Sequence, residues 1–104
     1  MQHSIPHGLE HGLARTATRK ALESYQERFP EYRPVARWVG DNHADISFTV
    51  AGKTLKGAVD VAASKIDLSL DVPMLFFPFR NAAMKVIQEE IEGWISKARA
   101  GELG

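Results

Sequence analysis

His7-Gly8-Leu9-Glu10-His11 sets two imidazoles and a carboxylate within one short stretch, in the order H-x-x-E-H. These are the letters of an inverted zinc-protease motif. Two histidines one turn apart on a rigid helix can hold zinc, and a glutamate beside them can take a proton from zinc-bound water. That chemistry also needs a third ligand and a lobe to hold substrate. Pro6, Gly8 and Gly12 loosen this segment, and 104 residues leave no room for such a lobe. The segment reads as a solvated helix start. No catalytic residue, no metal ligand and no cofactor are assigned from it.

Three other groupings have similar bland explanations. Gly52-Lys53-Thr54 imitates the end of a phosphate-binding loop, but position 47 is Ser47 rather than the required glycine. A strand follows it rather than a helix, so it reads as a hairpin turn. Asp45, Asp60, Asp67 and Asp71 could supply paired carboxylates for acid–base work. Alternation puts all four on a wet sheet face with Lys56 and Lys65, away from any cleft that would tune them. Arg15, Arg19 and Lys20 form a small basic patch. The chain carries 13 basic and 13 acidic residues, so its formal net charge is zero. No nucleic-acid partner is expected from that balance.

The remaining feature is apolar. Val72-Pro73-Met74-Leu75-Phe76-Phe77-Pro78-Phe79 is the longest apolar run and holds three of the five phenylalanines. It is too short to span a bilayer, and its prolines break a continuous helix. Burying each of its large side chains would stabilise the chain by roughly 1.5–3 kcal/mol. The run is either a plug in the core or a docking patch. The patch reading makes Met74, Leu75, Phe76, Phe77 and Phe79 the candidate binding residues.

The elements that must position this run follow from periodicity. Gln2–Pro6 reads as a short strand. A helix runs from about Leu9 or Leu13 to Arg28, with Leu13, Ala17, Ala21 and Tyr25 as its stripe and Leu22 and Phe29 beside it. Pro30 and Pro34 bracket a connector. Period-two alternation marks strands over Val35–Val39, Asp45–Val50, Thr54–Val61 and Ile66–Val72. Gly57 leaves a gap on the apolar face of the third of these. A second helix starts near Pro78 or Phe79, with Ala83, Ile87, Ile91, Trp94, Ile95 and Ala98 as its stripe and Val86 alongside. Trp38 and Trp94 read as core. Gly93 suggests a close approach to that helix. Glu102–Gly104 frays.

The expected architecture is a two-layer α+β domain of order β-α-β-β-β-β-α, an antiparallel sheet with two helices packed on one face. It is one domain over residues 1–104, with 2–100 ordered. The chain has no cysteine, which excludes disulfides and thiolate chemistry. With no signal peptide and no transmembrane segment visible, a cytoplasmic location is the expectation.

Laid out this way, the chain resembles the polyhydroxyalkanoic acid system family of small bacterial proteins from about His3 to Ala98. The resemblance rests on Ile5-Pro6-His7-Gly8-Leu9, on Trp38-Val39-Gly40-Asp41 leading into Phe48 and Gly52, on Gly57, on Ile66–Pro73 and on the amphipathic helix from Phe79 to Trp94. It implies association with polyhydroxyalkanoate synthesis and use, including at the granule surface, and brings no catalytic residues. Together the readings give a non-enzymatic accessory protein that meets a polyhydroxyalkanoate granule or a granule-bound partner through residues 72–79. Two alternatives stand beside it. One is a pocket for a small acyl ligand between helices and sheet, opened by Gly57. The other is a homodimer closed by the same patch.

Overall fold

The computed structural model of the protein describes residues 2–50, 52–72, 78 and 80–102. The elements are β1 (Gln2–Pro6), α1 (His11–Arg28), a 3-10 turn (Pro30–Tyr32), β2 (Val35–Val39), β3 (His43–Val50), β4 (Lys53–Val61), β5 (Lys65–Asp71) and α2 (Arg80–Arg99). The expected order and the α+β class hold. β3 begins two residues earlier than alternation suggested, because His43 pairs with Val39 on one side and with Asp60 on the other. The sheet order is β1-β5-β4-β3-β2, and every neighbouring pair is antiparallel.

Strands β2 to β5 form a meander joined by short turns. β1 adds to its far side, next to β5. α1 must therefore carry the chain from one edge of the sheet to the other. Four strand spacings amount to roughly 19 Å. The 18 residues of α1 give a rod of roughly 27 Å, long enough for a diagonal crossing.

One face of the sheet is buried. Ile46 and Phe48 of β3, Leu55, Val59 and Val61 of β4, and Ile66, Leu68 and Leu70 of β5 all point into the core. α1 and α2 cover them and pack on each other. α2 presents Met84, Ile87, Ile91, Ile95 and Ala98 at three- and four-residue spacing. The buried face of α1 is rotated from the expected stripe. Ala14, Ala17, Thr18 and Ala21 are buried with Leu22 and Tyr25, whereas Leu13 is only half-buried. Small side chains on this face leave room for the large ones of α2. Thr18 can be wholly buried because its hydroxyl donates to the Ala14 carbonyl at 2.8 Å. Trp38 and Trp94 are half-buried against the edge of the core rather than inside it.

Two glycines behave differently from what their positions suggested. Gly57 opens no pocket between the helices and the sheet. A Cβ there would collide with the Ser69 carbonyl oxygen, lie 2.8 Å from Leu70 Cδ2 and lie 3.3 Å from Ile46 Cγ1. Leu70 and Ile46 are its cross-strand partners, so the gap is already filled by its neighbours. Gly93 permits no close approach, since a Cβ at that site meets nothing within 4 Å.

The pair makes a contrasting test by chemical denaturation. Gly57→Ala is expected to destabilise the domain by about 1–3 kcal/mol through overpacking. Gly93→Ala, exposed in a helix interior, is expected to stabilise it by about 0.5–1 kcal/mol. A neutral Gly57→Ala variant would contradict the packing described here.

Candidate functional site

The two ends of the helical layer differ in chemistry. At one end the chain leaves β1 and enters α1 through the H-x-x-E-H segment. His7 is fully buried rather than solvated. Its Nδ1 accepts from the Leu9 N–H at 2.9 Å, so its Nε2 must carry the proton that faces the Ala62 carbonyl, also at 2.9 Å. The His7 N–H donates to the Ser64 carbonyl at 3.1 Å. Its own carbonyl receives Nε and Nη2 of Arg99, at 3.0 and 2.7 Å, from the last turn of α2. Gly8 makes the reversal possible with φ at +60°.

The other members of the motif are equally engaged. His11 Nε2 lies 2.9 Å from the Val61 carbonyl. Glu10 caps α1, accepting from the Gly12 and Leu13 N–H groups at 2.9 and 3.1 Å. Those two backbone bonds, Gly12 first, hold its carboxyl below the ordinary glutamate value. The three side chains point to different backbone partners and converge on no common point. Among the described residues, no group of three or more His, Asp or Glu side chains could hold a metal ion.

The outer face of the sheet carries the acidic residues, as alternation indicated. His43 bridges two of them, with Nδ1 2.6 Å from Asp60 Oδ1 and Nε2 2.9 Å from Asp45 Oδ1. Asp60 and then Asp45 raise the proton affinity of that ring. Asp67 receives the Ser4 hydroxyl at 2.6 Å and lies 3.6 Å from Lys65 Nζ. The basic patch is likewise taken up by local structure. Arg15 pairs loosely with Asp41 at 3.9 Å, and the Arg19 guanidinium covers the Trp38 ring at 4.4 Å.

At the opposite end of the helices lies an apolar cleft of about 240 Å³. The C-terminal end of α1 supplies Tyr25 and Phe29, and the 3-10 turn supplies Tyr32. Phe48, Val50 and Leu55 form the sheet floor, with Val72 just past β5. The first turns of α2 close the far wall with Ala82, Ala83 and Val86. Tyr32 and Val86 are among the most exposed large hydrophobic residues, at 37% and 36%. Phe29 holds this wall together, with its ring centroid 5.1 Å from Tyr25 and 6.1 Å from Tyr32. Arg28 ties the two walls by donating to Glu90 at 2.7 Å.

Of the candidate binding residues, Met74, Leu75, Phe76, Phe77 and Phe79 lie outside the described residues. Val72, ahead of that stretch in sequence, and Ala82, beyond it, both line the cleft. Periodicity assigns Tyr25 and Phe29 to the helix's apolar face and assigns no role to Tyr32. Three aromatics within eight positions at a proline-marked helix end were the available signal.

Among the described residues, no helix is long and apolar enough to cross a membrane. The model of a family described as putative polyhydroxyalkanoic acid system protein matches residues 2–96. No curated protein matches the chain.

Two measurements check this description. His7→Ala leaves the Leu9 N–H and the Ala62 carbonyl without partners and opens a void. It is expected to cost about 2–4 kcal/mol in denaturant titration. A fully stable variant would contradict the buried corner. For His43, folding raises a pKa whose ordinary value is 6.5. The contact with Asp60 is therefore at full strength below 6.5 and is lost as pH rises through the folded value. NMR titration should place the His43 midpoint above 6.5 in the native protein and lower it in Asp60→Asn. The stability gap between those two proteins should shrink as pH rises, and a gap that widens would refute the assignment.

Proposed function

We propose a function from one premise: the chain belongs to the polyhydroxyalkanoic acid system protein family. The protein is a non-enzymatic accessory factor of that system, located in the cytoplasm and at the granule surface. It meets the polyester granule, or a protein bound to it, through the apolar residues 72–79 and the cleft beside them. The observation that carries this reading is that Val72 and Ala82, which flank the run in sequence, both line an apolar cleft.

Area burial supplies the mechanism. Each large apolar side chain moved from water to an apolar surface contributes roughly 1.5–3 kcal/mol. Pro73 and Pro78 restrict their own backbone torsions, so less chain entropy is lost on docking. Zero formal net charge means that long-range attraction adds little. The same patch could close a homodimer, which would compete with the granule for it.

The double variant Phe76→Ser/Phe77→Ser is expected to lose co-sedimentation with polyhydroxyalkanoate granules while keeping wild-type circular dichroism and cooperative unfolding. Loss of the fold would place these rings in the core and end the proposal. So would retained co-sedimentation.

A further inference from the structure

The sheet ends in two edge strands, β1 and β2, whose free sides differ. The Val61 N–H donates to the Asn42 carbonyl at 2.7 Å, one step beyond the His43–Asp60 pair. Antiparallel pairs alternate between hydrogen-bonded and unbonded, so this bond sets the phase of β3. His43, Asp45 and Ser47 turn their backbone groups to β2, where they meet Val39, Arg37 and Val35. Ala36 and Trp38 turn theirs outward, with no strand beyond them. At the other edge, the bond from the His7 N–H to Ser64 sets the phase in the same way. Gln2, Ser4 and Pro6 face outward there. Pro6 has no N–H to give, which blunts that edge. β2 contains no proline, and its register on β3 runs without a bulge.

We propose that the free edge of β2 is the seam of a homodimer, in which two copies of this chain pair β2 with β2, antiparallel, about a twofold axis at Arg37. In that register each Ala36 exchanges backbone hydrogen bonds with Trp38 of the partner subunit. On the core face, the small Ala36 side chain leaves room for that half-buried ring. On the outer face, Val35 meets Val39 of the partner subunit, and Val39 meets its Val35. These valines are 55% and 52% exposed, the highest values among the large hydrophobic residues described. The two Arg37 side chains meet at the axis, each with Asp45 opposite it on β3.

Charge along α1 selects a second copy over a foreign strand. α1 runs antiparallel beside β2. Arg15 lies 3.9 Å from Asp41, the Arg19 guanidinium lies 4.4 Å from the Trp38 ring centroid, and Gln26 Nε2 donates to the Pro34 carbonyl at 3.3 Å. By these contacts, an axis at Arg37 passes beside Ala21. Arg15, Arg19, Glu23 and Glu27 are spaced symmetrically about Ala21, basic before it and acidic after it. The twofold axis therefore sets Arg19 against Glu23 of the partner subunit, and Arg15 against Glu27 of the partner subunit. Glu23 and Glu27 are exposed and form no ion pair with another described side chain. A foreign strand would have to arrive with the same order of charge beside it. No residue lining the apolar cleft belongs to β2, so seam and cleft use different residues.

Sedimentation velocity and amide hydrogen exchange of the full chain, over a concentration series, test the seam. Wild-type protein should pass from monomer to dimer. The Ala36 and Trp38 amides should slow as it does, with those of Arg37 and Val39 slow throughout. Ala36→Pro removes an outward N–H and no bond to β3. It should weaken the dimer roughly tenfold or more while unfolding stays cooperative. Glu23→Arg changes only the exposed face of α1. It should weaken the dimer about 3–10-fold at low salt, and adding Arg19→Glu should restore it. If Ala36→Pro fails to fold, Glu23→Arg and its rescue decide alone. Phe76→Ser/Phe77→Ser should dimerise like wild type. A monomer at about 1 mM would overturn the proposal. So would unchanged dimerisation in a folded Ala36→Pro or in Glu23→Arg, loss of the dimer in the Phe76/Phe77 variant, or Ala36 and Trp38 amides that stay fast in the dimer.

Discussion

Everything above the sheet depends on how the chain turns at His7. β1 lies at one edge of the sheet and β2 at the other, so α1 has to start from a fixed corner and cross the whole layer. The corner is fixed by hydrogen bonds rather than by bulk. The imidazole reads the Leu9 N–H on one side and the Ala62 carbonyl on the other, and the His7 backbone joins Ser64 and Arg99. One residue thereby links β1, the β4–β5 turn, the start of α1 and the end of α2. Burial makes each bond matter more, because a partner lost there cannot be replaced by water.

The other end of the helical layer is built on the opposite principle. Tyr25, Phe29, Tyr32, Phe48 and Val86 meet there through apolar contact, with space left between them. Arg28 of α1 donates to Glu90 of α2 across the helix pair. The asymmetry follows from chain direction. The end of α1 and the start of α2 meet at this cleft, and Val72, just past β5, lines it too. On the proposed reading, apolar matter meets the open end and leaves undisturbed the crossover that defines the fold. The outer sheet face, where His43, Asp45, Asp60 and Asp67 pair among themselves, is a solvated surface of a different character.

Much of the fold was legible in the sequence because one face of the sheet is wet. Ile46 and Phe48 against Asp45 and Ser47, or Ile66, Leu68 and Leu70 against Asp67 and Ser69, alternate as a half-buried sheet must. The helix faces were legible to within one residue. Ala14 and Thr18 displaced Leu13 because the spacing of two packed helices, which no single-helix pattern encodes, favours small side chains at the contact. His7 was misread for a related reason. Pro6, Gly8 and Gly12 suggest looseness when seen locally, whereas the partners that rigidify the segment lie 55 or more positions away at Ala62 and Arg99. The cleft was hidden similarly, since Tyr25, Val50 and Val86 come together only in the folded chain. The kinship was readable from order and spacing, and the match over residues 2–96 agrees with it.

The central claim is that this domain has a hydrogen-bonded closed end and an apolar open end, and that only the open end meets its partner. Amide hydrogen exchange with and without polyhydroxyalkanoate granules addresses it directly. The account predicts added protection at Phe29–Tyr32 and over residues 82–86, with the amides of His7, Leu9 and Ala62 already slow and unchanged. Protection gained at the His7 corner or across the outer sheet face, with none around the cleft, would contradict it.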